Sequence, residues 1–135
     1  MGLIKNKLNV YILGNILLKE DSLPLRLLPR LKTLFKNINF IHLDPTENIP
    51  EENHLILIDT IVNTDQIKII KDINRIQSSP SYSLHDYDLA FNLKLMKKLN
   101  KINKVTIIGL PFSIKEESAL KELKKIIPNL FSRND

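Results

Sequence analysis

Several carboxylates and one imidazole in this sequence could meet and bind a divalent metal ion: the Glu20–Asp21 pair, Asp44, Asp59 and His85. Carboxylate and imidazole together suit a borderline metal such as nickel, zinc, iron or manganese, and the chain has no Cys whose thiolate would narrow the choice. His85 lies at the predicted start of a helix, which disfavours protonation of the imidazole, so we expect a neutral ring that can bind a metal. An Asp after a strand is more often a turn former or a helix cap, and that structural alternative stays open for each carboxylate.

Turn-forming or acidic residues follow the ends of four predicted strands: Gly14-Asn15, Asp44, Asp59 and Gly109. In an open parallel sheet, ligands bind outside the carboxyl ends of the strands. Glu20 and Asp21 lie in the loop that leaves the first of these strands, and His85 precedes the last one. We therefore expect two or three carboxylates and one imidazole to meet at this edge.

Several other kinds of active site are excluded by the sequence. It has no Cys nucleophile, no G-x-S-x-G or H-E-x-x-H motif and, with 3 Gly, no phosphate-cradling loop. His42 and His54 lie within or just before predicted strands, and we interpret both as structural. The net charge of +5 comes with 16 Lys but 4 Arg, in a chain rich in Ile and Asn, which indicates codon bias rather than selection for phosphate contacts.

Short apolar runs predict the strands that must position these residues: Leu8–Leu13, Ile38–Leu43, Leu55–Ile58 and Val105–Ile108. The unbroken run from Leu55 to Ile58 is typical of a central parallel strand. A further segment, Ile67–Ile76, is interpreted as an edge strand.

Three helices are predicted between and after the strands. The first spans Leu23–Lys36, where Pro29 is expected to bend or restart it. The second begins at a Ser83–Asp86 pair with capping-box spacing and runs to about residue 100. The third begins at a capping box, Ser113–Glu116, and is expected to stop at Pro128.

The order of these elements predicts an α/β fold, a three-layer sandwich with a central, mostly parallel five-stranded sheet and helices on both faces. We expect residues 1–135 to form one domain, since a domain typically has about 100–200 residues. No apolar run approaches the ~20 residues of a membrane span, and no signal-peptide cleavage site follows the first residues. The protein is therefore expected to be soluble and cytoplasmic.

Four segments occur in one order along the chain: Ile12-Leu-Gly-Asn-Ile-Leu-Leu-Lys-Glu-Asp21, Leu55-Ile-Leu-Ile-Asp59, Ser83-Leu-His-Asp86 and Val105-Thr-Ile-Ile-Gly109. Together they resemble the hydrogenase maturation endopeptidases, roughly from Val10 to Ile127. The resemblance implies an endopeptidase that removes the C-terminal extension from the large-subunit precursor of a nickel-iron hydrogenase after nickel insertion. It implies that precursor as the partner, with no nucleic acid and no membrane span, and we expect a monomer.

The resemblance also implies roles for individual residues. Asp21, Asp59 and His85 match the positions that contact the nickel of the precursor, so they are the expected catalytic and metal-binding residues, and the nickel arrives with the substrate. Zinc or cadmium is expected to substitute for nickel in vitro.

Four further positions are expected to bind the substrate: Gly14, Asn15, Glu20 and Asp44. Asp44 resembles the family's turn after the second strand and is expected to line the cleft. Two alternatives stay open: a non-catalytic nickel-site chaperone or assembly factor on the same fold and, more distantly, a basic nucleic-acid-binding module.

Overall fold

The computed structural model describes residues 8–14, 17–44, 49–75 and 86–131. The strands are β1 (Leu8–Ile12), β2 (Ile38–His42), β3 (Glu52–Ile61), β4 (Lys68–Ile70) and β5 (Ile102–Pro111). The helices are α1 (Leu23–Leu34), α2 (Asp86–Lys98) and α3 (Glu116–Phe131), with a short 3-10 helix at Lys19–Asp21. None of the helices in these ranges is long and apolar enough to cross a membrane.

The five strands form one sheet in the order β2-β1-β3-β5-β4. β1 is parallel to β2 and to β3, β3 is parallel to β5, and β4 is antiparallel to β5. This confirms the mostly parallel five-stranded sheet and the edge strand. The edge strand is shorter than predicted, since it ends at Ile70; residue 76, where the prediction ended, lies outside the described residues.

β3 carries apolar side chains on both of its faces, and these pack against a helical layer on each side of the sheet. Leu57 belongs to a core cluster that includes Leu93 of α2, whereas Ile58 belongs to a second cluster with Leu27 of α1 and Leu123 of α3. Side chains alternate along a strand, so a strand that is apolar at every position must be covered on both faces. The three-layer sandwich is therefore confirmed.

Two strands extend beyond their predicted ends. Asp59 and Gly109 were expected to follow strands, but β3 continues to Ile61 and β5 to Pro111. Asp59 and Gly109 instead face each other as paired residues within the sheet. The prediction was wrong because the apolar run marks only the doubly buried part of a strand, whereas backbone pairing with a neighbour continues through polar residues and Gly.

Both helical prolines lie inside continuous helices, so a restart at Pro29 and a stop at Pro128 were wrong predictions. α1 continues through Pro29 and α3 continues through Pro128 to Phe131. A Pro inside a helix costs about 3 kcal/mol through its missing N–H and a clash with the preceding turn. In each helix a buried residue next to the Pro turn, Leu31 or Ile127, packs on the sheet and offsets this cost.

The start of α3 also differs from the expected capping box. The helix begins at Glu116, and its first turn is closed by the Ala119 N–H, which donates to the Lys115 carbonyl at 2.9 Å. Ser113 therefore lies too early in the chain to be the N-cap residue. Across the layer, the Arg26 guanidinium of α1 pairs with the Glu116 carboxylate at 2.6 Å and holds this end of α3 beside α1. For α2, the predicted Ser83 cap lies outside the described residues.

Candidate functional site

The turn after β1 brings Asp21 back to the carboxyl edge of the sheet. Gly14 has a φ of +153°, and a Cβ at this position would lie 2.7 Å from the Asp21 carbonyl oxygen. Only Gly avoids that contact, so the chain can leave β1 and return against it. Asp21 then closes the 3-10 helix, where its N–H donates to the Leu18 carbonyl at 2.9 Å.

A side-chain hydrogen bond fixes the Asp21 carboxylate to β3. The Thr60 hydroxyl donates to Asp21 Oδ1 at 3.0 Å, and Thr60 is 9% exposed. Thr60 directly follows Asp59 along the strand. The contact therefore joins Asp21 to the residue that follows Asp59, across 39 positions of sequence. Sequence reasoning missed Thr60, for which the only signal was its adjacency to Asp59.

Asp59 is 5% exposed, and its Oδ1 accepts a hydrogen bond from the Thr60 N–H at 2.7 Å. Because side chains alternate along β3, Asp59 lies on the face covered by α2, as Leu57 and Ile61 do. Thr60 lies on the opposite face, where it meets Asp21. The two carboxylates therefore lie on opposite faces of the sheet, near the end of β3.

Gly109 keeps the neighbouring position on β5 free of a side chain. It pairs with Asp59, and a Cβ there would lie 2.8 Å from Cγ2 of Ile61. Since Ile61 is two residues beyond Asp59 on the same face, its side chain covers the position beside the carboxylate. Gly109 therefore belongs to the site as a packing requirement rather than as the residue that ends a strand.

Asp44 and His42 lie at the same edge but on its far side. The Leu43 N–H donates to the Ile12 carbonyl at 2.9 Å, and Asp44 follows as an exposed residue. β1 separates β2 from β3, so this position is about two strand spacings, roughly 10 Å, from Asp59. His42 Nε2 lies 3.3 Å from the Gly14 carbonyl oxygen, a contact that supports the turn leading to Asp21.

The remaining predicted site residues cannot be placed against this geometry. Asn15 and His85 lie outside the described residues, and so does the side chain of Glu20. Within the described ranges, no three His, Asp and Glu side chains form a group that could hold a metal ion. The metal-site assignment of Asp21, Asp59 and His85 therefore stays a prediction.

Solved structures share this doubly covered, mostly parallel sheet with the present chain. Hydrogenase maturating endopeptidase HybD from E. coli matches with a TM-score of 0.57 and 19% identity, over 88% of this chain and 93% of that one. The solution structure of an endopeptidase from Escherichia coli matches with a TM-score of 0.66 and 18% identity, over 91% and 92%.

A third match, the crystal structure of an uncharacterized protein from Wolinella succinogenes, has a TM-score of 0.58 and 11% identity, over 92% of this chain and 99% of that one. No family model and no curated protein matches the sequence. The resemblance to hydrogenase maturation endopeptidases is therefore confirmed for the fold, which this chain shares over about nine tenths of its length.

Proposed function

We propose that this protein is an endopeptidase that removes the C-terminal extension of a nickel-iron hydrogenase large-subunit precursor after nickel insertion. The observation that carries the proposal is the Thr60 contact, which anchors Asp21 to the residue after Asp59, near the carboxyl edge of this fold. The structural similarity to two endopeptidases, which covers about nine tenths of this chain and of each matched chain, supports the same conclusion. The precursor is the proposed partner, and the cysteine-free chain suits a cytoplasmic location.

The two carboxylates are suited to binding a metal cation that the substrate carries. Each accepts a hydrogen bond through Oδ1, which fixes its orientation without neutralising its charge. Negative charge near this edge favours a metal-loaded precursor over a metal-free one. In this proposal nickel is part of the substrate, and zinc or cadmium substitutes for it in vitro.

His85 completes the proposed metal-reading surface. α2 begins at the next residue, Asp86, and packs on the face of the sheet where Asp59 lies. Because α2 is followed within four residues by β5 at the amino edge, its first turn points towards the carboxyl edge. In this proposal, as the family resemblance implies, His85 supplies an imidazole to the metal-reading surface.

Peptide hydrolysis at this edge needs a polarised carbonyl and an activated water, and a divalent ion can provide both. The residues of this chain would hold the scissile peptide against that ion, so loss of one of them should lower recognition and turnover together. Gly14, Asn15, Glu20 and Asp44 are proposed to line the path of the substrate around this centre.

The experiment is a mass measurement of the precursor before and after incubation, with nickel-loaded and nickel-free precursor. Wild-type protein should shorten only the loaded form, and Asp21→Asn, Asp59→Asn and His85→Ala should each reduce the rate. Asp72→Asn is the control, since this exposed carboxylate lies after β4 at the opposite edge. Equal cleavage of the nickel-free precursor would contradict the metal-reading role. Tight binding without cleavage would instead identify a nickel-site chaperone or assembly factor.

A direct test of the metal site is calorimetric titration of the isolated protein with nickel, zinc or cadmium. Three ligands are fewer than a closed structural site requires, so we expect binding that is weak but measurable. His85→Ala should reduce it, and equal binding by both proteins would remove His85 from the site.

A further inference from the structure

A groove of about 680 Å³ opens at the amino edge of the sheet, opposite the edge that carries Asp21 and Asp59. Its walls come from the first residues of β5, the residues around β4 and the final turns of α2 and α3. The volume is within the range of about 300–1,000 Å³ that is typical of small-molecule sites. Nothing in the proposed peptidase chemistry uses this groove.

Three lysines from different elements converge on the groove: Lys71, Lys97 and Lys104. None of the described residues that line it is Asp or Glu, and none of the three ammonium groups forms an ion pair within the described ranges. A neighbouring groove of about 400 Å³ shares Lys71 and Lys97 and adds Lys94 and Lys98 together with one carboxylate, Asp72. Positive charge is therefore concentrated where these two grooves meet.

The floor of the groove is polar. His54 Nε2 lies 2.7 Å from the hydroxyl oxygen of Thr106, which is 2% exposed. Burial lowers the pKa of His54, and the charges of Lys104 and Lys71 lower it further, with no carboxylate acting in the opposite direction. The charged side chains among the described residues that line the groove are Lys104 of β5, Lys71 after β4 and Lys97 of α2, and the lining residues from α3 are uncharged. Glu52 of β3 lies two residues before His54 and accepts hydrogen bonds from Tyr11 and Asn9 instead. The charged side chains that line the groove are thus cationic, and they also offset the partial negative charge at the C-terminal ends of α2 and α3.

The helix dipoles account for the position of only one of the three lysines. Cations are favoured at helix C-termini, and Lys97 lies in the last turn of α2. Lys104 belongs to β5 and Lys71 follows β4, so both reach the groove from the sheet rather than from a helix end.

We propose that this groove binds a small anion that carries a phosphate group, held by Lys71, Lys97 and Lys104 above the His54–Thr106 pair. A lysine ammonium acts as a point charge, and three of them from separate directions suit a tetrahedral dianion. Among the described residues that line the groove the cations are all Lys, which binds phosphate as a point charge.

The test is an NMR titration of the full chain with inorganic phosphate and with pyrophosphate at constant ionic strength. We expect saturable shifts at residues 103–106 and an upward shift of the His54 pKa, because a bound anion stabilises the imidazolium. Lys104→Gln and Lys71→Gln should each weaken binding about tenfold. Both lysines are exposed, so the variants should fold normally.

The control is Lys32→Gln, which removes the same charge from an exposed position on α1. Binding that Lys32→Gln weakens as much as Lys104→Gln would overturn the proposal, as would shifts that never saturate. Equal affinity for acetate would overturn the assignment to phosphate. The proposal does not depend on the peptidase function, because the titration contains no precursor.

Discussion

Replacing Thr60 with Val tests whether the link between Asp21 and β3 is needed for function. Val keeps the shape of the buried side chain and removes the hydroxyl that donates to Asp21 Oδ1 at 3.0 Å. A hydrogen bond to a charged group is worth about 1.5–3 kcal/mol, and the partial exposure of Asp21 reduces that value. We therefore expect the free energy of unfolding to fall by about 1–2 kcal/mol.

Urea unfolding measures this loss directly. With a denaturant dependence of about 1–3 kcal/mol per molar urea, the midpoint should fall by roughly 0.3–2 M without a change in slope. The rate of precursor processing should fall at least about tenfold, because an unanchored Asp21 no longer holds the reacting centre in position.

Thr106→Val is the matched control. Thr106 is also buried and its hydroxyl also has a side-chain partner, His54, but it lies near the opposite edge of the sheet. It should lose comparable stability and process the precursor normally. If Thr60→Val loses stability yet processes the precursor as fast as wild type, the reasoning that Asp21 acts through this contact is refuted.

Three further predictions concern the residues around the site and the polar network of β1. Asp59→Asn keeps an oxygen that can accept the backbone N–H at 2.7 Å, so urea unfolding should change little while processing is lost; global unfolding would make Asp59 a structural residue. Gly109→Ala places a Cβ 2.8 Å from Ile61 Cγ2 and should cost about 1–3 kcal/mol, which Ile61→Ala in the same protein should partly restore. Burial, together with a 2.6 Å hydrogen bond to Glu52, raises the pKa of Tyr11 to about 12. The folded state therefore favours the neutral phenol, and stability should fall as pH rises from about 10 to 12, by up to about 2–3 kcal/mol. In Tyr11→Phe, urea unfolding at pH 9 and at pH 11.5 should show a smaller difference than in wild type.

The layered architecture could be predicted because its signals are local. The run from Leu55 to Ile58 is apolar at every position, and alternation along a strand then requires cover on both faces. The structure places these side chains in two separate core clusters, one beneath α2 and one beneath α1 and α3. Strand and helix identities follow from such patterns without knowledge of any distant contact.

The ends of the elements could not be predicted in the same way. β3 and β5 continue past Asp59 and Gly109 because each strand hydrogen-bonds to the other along its length. α1 and α3 continue past their prolines because buried residues on either side pack against the sheet. In both cases the deciding energy comes from partners far away in the chain, which no local window of sequence contains.

The sequence by itself determined which residues were candidates for the site and which edge of the sheet they occupy. Asp21 and Asp59 were predicted at the carboxyl edge from their positions after strands, and both lie towards that edge. Only the tertiary structure decided how they are held: Thr60 joins Asp21 to β3, and Gly14 lets the chain return to that point. The physical reason is that a hydrogen bond across 39 residues depends on the packing of the whole sheet, whereas the identity of a carboxylate depends on nothing but the residue itself.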